Sequence, residues 1–275
     1  MKKTILIALV SGCSLFASAQ SLDLGLRGGM ASTWLMNSNV FNAGSDQDVA
    51  MSWSPSFGFH SEFNFLGGTG IEFEVLYSPY SQKYKGTFQD VGGLYEDESN
   101  LSLTSLPNVY YQKNESYTAT TKLDLIKLPL LFHYEAKGGF SIEVGPEYCS
   151  LSSATYSASC SGQPIGQPSS VSYSTTSSFG SSSLNAVLGF GWNVKLVSSG
   201  KLYLLTDLRF EYGLSDIKGT DGLGEDLNNT STNPVYADHS FRGYGSYTQT
   251  HMLEGSFSVG LFYRLNFLSA AKGFM

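Results

Sequence analysis

The chain has 275 residues, of which 14% are charged and 14% are aromatic, and its formal net charge is −7. Soluble globular domains usually carry about a quarter of charged residues, so this composition is unusual for a protein surrounded by water. The acidic balance argues against nucleic-acid binding, which depends on basic patches that pair with phosphates. After residue 20, no uninterrupted apolar stretch has the length of a membrane-spanning helix.

The N-terminus has the features of a secretory signal peptide. Basic residues precede an apolar run, and a small-residue stretch ends in Ala17-Ser18-Ala19 before Gln20. This A-x-A site predicts cleavage between Ala19 and Gln20. Residues 1–19 are therefore interpreted as the signal peptide and residues 20–275 as one domain. An alternative is lipidation at Cys13, although the apolar stretch before that cysteine is short for a lipoprotein signal.

Eight later segments alternate apolar residues with polar or small ones, which is the period of a β-strand with two different faces. Each has about the nine to eleven residues that cross a bilayer at a tilt. The segments begin at Leu22, Phe57, Ile71, Ile126, Phe140, Leu184, Leu202 and Phe257. The apolar face of every segment suits contact with lipid.

The connections between these segments alternate in length. The short ones are residues 66–69, 135–138 and 198–201, and the long, polar ones are residues 31–51, 82–116, 153–178 and 216–247. Transmembrane barrels have short periplasmic turns and long outer loops. The sequence thus predicts an all-β fold: a closed antiparallel transmembrane β-barrel of eight strands.

The polar faces of the segments carry charges of both signs and many glycines. Eight strands enclose an interior that side chains can just fill, so we expect a plugged lumen in which opposite charges pair. Outward aromatic residues at the strand ends would form the girdles at the two membrane surfaces; they are Tyr77, Tyr134, Tyr148, Trp192, Tyr212 and Phe267. The predicted lumen charges are Asp23, Arg27, Glu62, Glu72, Glu74, Lys127, Glu143, Glu147, Lys195, Asp207, Arg209, Glu211 and Arg264.

Four motifs resemble a known family. They are L-G-L-R-G-G-M at residues 24–30, I-K-L-P-L-L-F at 126–132, L-G-F-G-W at 188–192 and G-L-F-Y-R-L-N-F at 260–267. Together they resemble the PorT-like outer-membrane β-barrel proteins of Bacteroidetes, small barrels of the OmpX/OmpA-like kind. The resemblance implies the barrel fold over the whole mature chain. Some members of the family serve protein secretion and many have no assigned role, so the resemblance implies little about activity.

The four histidines suggest a second hypothesis, because hydrolases combine a histidine with a serine or a carboxylate. Asp238-His239-Ser240 lies in the last predicted outer loop and His251 near the last strand, whereas His60 and His133 are interpreted as lumen filling. Adjacency in sequence is weak support, since a catalytic triad is recognised by its spatial geometry. We therefore predict no catalytic residue.

The remaining candidate sites are an acidic stretch and two cysteines. Asp221 to Asp226 could hold calcium but lacks the ligand pattern of an EF-hand loop, and a solvated acidic turn explains it more simply. Cys149 and Cys160 remain after export, so a disulfide and two free thiols both stay open. No metal-binding spacing is present, and the sequence predicts no cofactor.

These observations predict a non-enzymatic integral outer-membrane protein with a filled lumen. Its role would lie in surface binding, adhesion or assistance to secretion or the envelope. Its expected partners are outer-membrane lipid, the barrel-assembly machinery during insertion, and an envelope or secretion protein. The alternatives are an outer-membrane hydrolase with its site at the extracellular rim, and a narrow channel.

Overall fold

A computed structural model describes residues 20–41, 47–87, 116–160, 170–197, 201–222, 227 and 247–267. The predicted signal peptide, with Cys13, lies outside these residues, as does Asp238-His239-Ser240. Within them the chain forms strands β1 Ser21–Asn37, β2 Asp48–Ala50, β3 Trp53–Asn64, β4 Thr69–Thr87, β5 Ser116–Glu135, β6 Phe140–Cys160, β7 Ser170–Ser174, β8 Ser182–Lys195, β9 Leu202–Gly213 and β10 Thr250–Asn266. The helical elements are the single turn α1 Ser38–Phe41 and two 3-10 turns, Leu66–Gly68 and Thr176–Ser178. No helix in the described ranges has the length and apolar character needed to span a membrane.

Eight of the strands close into a ring. The order around the ring is β1–β3–β4–β5–β6–β8–β9–β10, and every pairing is antiparallel. Strand β10 returns to β1 and pairs with it from Ser21↔Asn266 to Asn37↔Thr250. The two short strands lie beside the ring, β2 on β4 and β7 on β6. The predicted eight-stranded closed barrel is confirmed.

The two ends of the barrel differ in their connections. Three tight links, residues 65–68, 136–139 and 196–201, lie at the end where β1 begins and β10 finishes, which we call the turn end. Gly139 in the second link has a φ of 82°, and a Cβ there would lie 2.4 Å from the Asn193 carbonyl oxygen. Only glycine combines this left-handed backbone with such close packing. The long connections leave the opposite end, which we call the loop end.

Strands β4, β5 and β6 extend towards the loop end well beyond their predicted bounds. Strand β5 has 20 residues and β6 has 21, so the predicted length of nine to eleven residues is wrong for them. On the loop-end side of Asp124, the polar and apolar faces of the sheet exchange sides. Tyr117, Ala119 and Leu123 are buried inside, whereas Thr118 and Lys122 are exposed outside. A search for apolar residues facing outward could not recognise this part as strand.

The inverted part of the sheet encloses an apolar core at the loop end. A β-bulge at Ser152 marks its beginning, because Leu125 pairs with Leu151 while the preceding Asp124 pairs with Ser153. The extra residue shifts the inward face of β6 by one position. One buried cluster consists of Leu35, Tyr80, Leu123, Leu125, Cys149, Ala154, Phe179, Ile217 and Met252. The second consists of Val40, Tyr84, Tyr117, Ala119, Tyr156 and Ala158.

The structure contradicts a disulfide between Cys149 and Cys160, one of the two alternatives that the sequence left open. Both residues belong to the continuous strand β6, and eleven residues of extended chain span roughly 36 Å at about 3.3 Å per residue. A disulfide requires Cα atoms within about 7 Å. Cys149 is a buried free thiol whose Sγ lies 3.2 Å from Glu147 Oε1.

Close strand approach predicts a strong effect of substitution at Gly58. A Cβ at this position would lie 2.0 Å from the Val75 carbonyl oxygen of β4, so the backbone itself must shift. We expect Gly58→Ala to lower the free energy of unfolding by about 1–3 kcal/mol or to block refolding. The measurement is urea unfolding in detergent, followed by tryptophan fluorescence.

Gly255 provides the matched control for this experiment. It also lies in the barrel wall, but a Cβ there meets no atom within 4 Å. Gly255→Ala should leave stability unchanged or raise it slightly, because alanine restricts the unfolded chain. Equal stability of both variants would contradict the register between β3 and β4.

Candidate functional site

The barrel interior contains most of the predicted charge network. Twelve of the thirteen predicted residues point inward, eleven of them buried and Arg264 half-buried. The exception is Lys195, which is exposed at the last position of β8. Its prediction as a lumen residue is wrong, because the strand ends there and a lysine at a barrel rim can turn its ammonium group to solvent.

Two arginines form the centre of the charged interior. Arg209 Nη1 donates to Glu74 Oε2 at 2.6 Å, its Nη2 to Glu143 Oε2 at 2.7 Å, and it also pairs with Glu72. Arg27 Nη1 donates to the other oxygen of Glu74 at 2.8 Å, and its Nη2 pairs with an oxygen of Asp207. Glu74 therefore links the two guanidinium groups, and these contacts join strands β1, β4, β6 and β9 across the lumen.

A second charged cluster lies nearer the loop end and surrounds Lys127. Its Nζ donates to Glu211 Oε2 at 2.5 Å and to Glu254 Oε2 at 2.7 Å, and it lies 3.8 Å from Glu147 Oε1. Sequence reasoning missed Glu254, because the eighth segment was taken to begin at Phe257. The alternation of Met252, Glu254 and Ser256 could have revealed it, since all three are buried on the lumen side of β10.

The turn end of the lumen has a smaller, half-exposed cluster. Arg264 donates from Nε to Asp23 Oδ1 at 2.8 Å and from Nη2 to Asp23 Oδ2 at 2.6 Å. Its guanidinium carbon lies 4.4 Å from the centre of the Tyr203 ring. Asn64 donates to the same carboxylate at 3.1 Å. These side chains fill the mouth of the barrel between the tight turns.

The two interior histidines are surrounded by carboxylates. His60 and His133 are both buried, as predicted for lumen filling. Within the described residues, the groups whose donor atoms lie close enough for a metal ion are His60–Glu72–Glu74 and Glu62–Glu72–His133. The first group combines β3 with two residues of β4, and the second combines β3, β4 and β5, so each depends on the register between strands.

At the loop end, Asp216 ties the start of the last long connection to the start of β10. Its Oδ1 accepts hydrogen bonds from the backbone N–H groups of Lys218 at 2.9 Å and Thr250 at 3.0 Å, and its Oδ2 accepts one from the Tyr247 hydroxyl. Partial burial raises the pKa of the Asp216 carboxyl, but these hydrogen bonds outweigh it and keep that pKa below its ordinary value. The carboxylate thus has a structural role.

Among the described residues at this end, the other candidates are His251 and Asp221. His251 Nδ1 lies 2.9 Å from the Gly213 carbonyl oxygen, and its ring stacks on Tyr212, so a main-chain oxygen orients it. Asp221 is buried rather than solvated, and the neighbouring Gly222 carbonyl accepts a hydrogen bond from Tyr156 at 3.0 Å. The remainder of the acidic stretch, residues 223–226, lies outside the described residues.

The outer surface of the ring is apolar over a limited height. Side chains of Leu26, Phe57, Phe132 and Val144 are about half exposed or more, which is expected only where lipid replaces water. Predicted girdle residues Tyr134, Trp192 and Phe267 are exposed towards the turn end, whereas Tyr77, Tyr148 and Tyr212 lie towards the loop end. Tyr77 and Tyr148 lie in the middle of β4 and β6 and mark where the apolar belt stops and the inverted extension begins, whereas Tyr212 lies next to the last residue of β9.

The solved structures to which the chain is similar include the following three. The chain is 13% identical to Ail, the attachment invasion locus protein of Yersinia pestis, over 88% of this chain and 98% of that one, with a TM-score of 0.35. It is 10% identical to Neisserial surface protein A over 90% and 97%, with a TM-score of 0.33. For the outer membrane protein OprG of Pseudomonas aeruginosa the identity is 12% over 90% and 98%, with a TM-score of 0.33.

The sequence itself provides the family assignment. No curated protein matches it. The profile of the family described as "Outer membrane protein beta-barrel domain" matches residues 18–219, which is well over half of the chain. This match agrees with the closed ring, its apolar belt and its polar lumen. The chain therefore belongs to the outer membrane β-barrel family.

Proposed function

We propose that this protein is a non-enzymatic barrel of the bacterial outer membrane that keeps its lumen closed and acts through its surface at the loop end. The role would be binding, adhesion or assistance to secretion or envelope assembly. The observation that carries the proposal is the filling of the lumen along its length. A lumen filled by packed side chains has no room for a ligand, so contacts with other molecules would be made by the outer surface.

The lumen is filled by two layers of different chemistry. The lower part lies nearer the turn end, and the upper part lies nearer the loop end. In the lower part, Arg27, Lys127 and Arg209 are between 1% and 6% exposed and are held by carboxylates from several strands. In the upper part, Tyr80 and Tyr156 are each 1% exposed within apolar clusters. An ion following the axis would have to disrupt both layers. This arrangement disfavours the narrow channel.

The proposal includes export of the chain and an orientation in the membrane. Barrels of this kind place short turns in the periplasm and long connections outside, so the loop end would face the exterior. This orientation is consistent with a signal peptide at residues 1–19, cleavage between Ala19 and Gln20, and insertion by the barrel-assembly machinery. The belt between the girdles would contact outer-membrane lipid.

We place the protein among the PorT-like barrels of Bacteroidetes. The four motifs that carry this resemblance fall on β1, β5, β8 and β10, all in the barrel wall. They support shared architecture, and the role in secretion known for some members remains one of the roles that we propose.

The surface proposed for interaction is the outward face of the extended parts of β4 to β7. It is polar and carries hydroxyl groups and lysines, in contrast to the belt below it. Thr118 and Ser159 lie side by side on it with their hydroxyl oxygens 2.8 Å apart, and Lys83 and Lys122 are exposed. This outer hairpin face is defined by Lys83, Lys85, Thr118, Lys122, Thr155, Ser159 and Ser172.

The closed lumen predicts the absence of ion conductance. The refolded protein in a planar lipid bilayer should give no steady single-channel steps, because no water-filled path crosses the two layers. A wide 16-stranded porin in the same bilayer serves as the positive control. Regular, ion-selective steps from the native protein would contradict the closed lumen and favour the channel.

The central arginine predicts a large loss of stability on its removal. Arg209→Met would leave Glu72, Glu74 and Glu143 without their shared partner, and breaking a buried ion pair costs about 3–5 kcal/mol. Urea unfolding measures this loss. Arg264→Met is the control, because its side chain is 16% exposed and its partner Asp23 keeps a hydrogen bond from Asn64, so the loss should be smaller. A loss no greater than that of the control would show that the network is not structural.

The outer hairpin face predicts which surface lysines matter in the cell. The double variant Lys83→Glu and Lys122→Glu should abolish the envelope phenotype of the native protein and its cross-links to envelope proteins. The matched control, Lys195→Glu with Lys201→Glu, makes the same charge change on exposed residues at the turn end. Loss of function in the control alone would place the function at the periplasmic end and overturn the proposal.

A further inference from the structure

Two glutamates lie directly opposite each other inside the barrel. Glu62 of β3 pairs in register with Glu72 of β4, and both point into the lumen. Like charges in this position destabilise a sheet unless something compensates them. His133 of β5 and His60 of β3 lie beside them. We call these four residues the histidine–glutamate cluster.

The cluster contains buried polar atoms without hydrogen-bond partners. All four residues are no more than 4% exposed. The unpartnered atoms are Glu62 Oε1, Glu72 Oε2, His60 Nε2 and both ring nitrogens of His133. Buried polar groups are almost always satisfied in proteins, so the presence of five such atoms on four neighbouring residues indicates a missing partner.

The spacing of these atoms suits a metal ion. One donor atom each of Glu62, Glu72 and His133 lie within 4.8 Å of one another. His133 Nε2 is 3.4 Å from Glu62 Oε1, and His60 Nε2 is 3.8 Å from Glu62 Oε2. In a tetrahedral shell with metal–ligand distances near 2.0–2.2 Å, neighbouring ligand atoms are about 3.3–3.6 Å apart. The donors are thus close to this spacing already.

A carboxylate lies behind each of the two histidine rings. His60 Nδ1 lies 3.0 Å from Glu74 Oε1, so in the neutral ring Nδ1 would carry the proton and Nε2 would be the ligand atom. His133 Nδ1 lies 3.9 Å from Glu143 Oε1. Metal-bound histidines characteristically have a carboxylate behind the ring. Arg209 holds both of these carboxylates, so the supporting shell is fixed.

With both histidines neutral, as metal ligands must be, the charge balance of the lower lumen also favours a cation. Six buried carboxylates share this region with three guanidinium groups. The carboxylates are those of Asp23, Glu62, Glu72, Glu74, Glu143 and Asp207, and the guanidinium groups those of Arg27, Arg209 and Arg264. The cluster lies on the turn-end side of the lumen, two residues from Asn64 along β3.

We propose that the barrel binds one divalent transition-metal ion of the Zn²⁺ class through Glu62, Glu72 and His133, with His60 at the fourth position. Imidazole and carboxylate donors together suit Zn²⁺ and its neighbours. The ion would neutralise the facing glutamates and tie β3, β4 and β5 together. This inference is independent of the proposed surface function.

The test uses the full mature chain, refolded in detergent, treated with a chelator and then titrated with Zn²⁺ and Co²⁺. We expect about one ion per barrel, a visible Co²⁺ absorption typical of tetrahedral coordination, and a higher unfolding temperature with metal. His133→Gln and Glu62→Gln should lose stoichiometric binding, with affinity at least about tenfold lower. Glu254→Gln is the matched control, because it removes a buried carboxylate from the Lys127 cluster and should bind as the native protein does.

Three results would overturn the proposal. One is no bound metal in the folded native protein, which would make the histidines imidazolium partners of the carboxylates. Another is binding of about one ion per barrel by both His133→Gln and Glu62→Gln, which would place the ion elsewhere. The third comes from X-ray absorption of the native Zn²⁺ complex, which needs no variant to fold: an oxygen-only shell excludes the histidines, whereas one or two imidazole nitrogens support the site.

Discussion

The narrow, closed ring is the constraint on which the rest of the structure depends. Eight antiparallel strands leave no edge to pair further, but they force every second side chain into a space without bulk water. In the apolar belt the outer face must be suited to lipid, so the polar residues have to face inward. Buried charges are tolerated only when they are paired and hydrogen-bonded. The interior network of Arg27, Arg209 and Lys127 is therefore a condition of closure.

The network meets this condition by sharing groups between strands. Glu74 accepts hydrogen bonds from two arginines, and Arg209 contacts three glutamates. Contacts of this kind cross the lumen, whereas backbone pairing only joins neighbours around the ring. Small residues give the space: a Cβ at Gly189 would lie 2.8 Å from Glu143 Oε2 and 3.3 Å from Arg209 Cγ. Glycines and charges on the same face are thus parts of one arrangement.

Period and connection length predicted the ring, its turns and nearly all of the inward charges. The errors have physical causes. Lys195 obeys the alternation but lies where the strand meets solvent. The extended ends of β5 and β6 reverse the rule that apolar side chains face outward, so Tyr156 was read as a loop residue and Tyr117 fell outside the predicted strands. The proximity of Cys149 and Cys160 in sequence suggested a bridge that a straight strand forbids. The convergence of His133 with Glu62 and Glu72 depends on register, which no local pattern contains.

At Asp124 and Ser152 the polar and apolar faces of the sheet exchange sides. One continuous sheet is thus suited to lipid in one part and to water in the other. On the turn-end side of the reversal, the outer face of the sheet is apolar and the inner face polar, which suits contact with lipid. On the loop-end side, the inner face is apolar and the outer face polar, as in a soluble β-protein. The strands cross this boundary without interruption, because backbone pairing is the same in both environments. The bulge changes which face of β6 is inward at the place where the solvent changes. The extension can therefore hold a rigid polar surface away from the membrane, stabilised by its own apolar core and by continuity with the barrel wall.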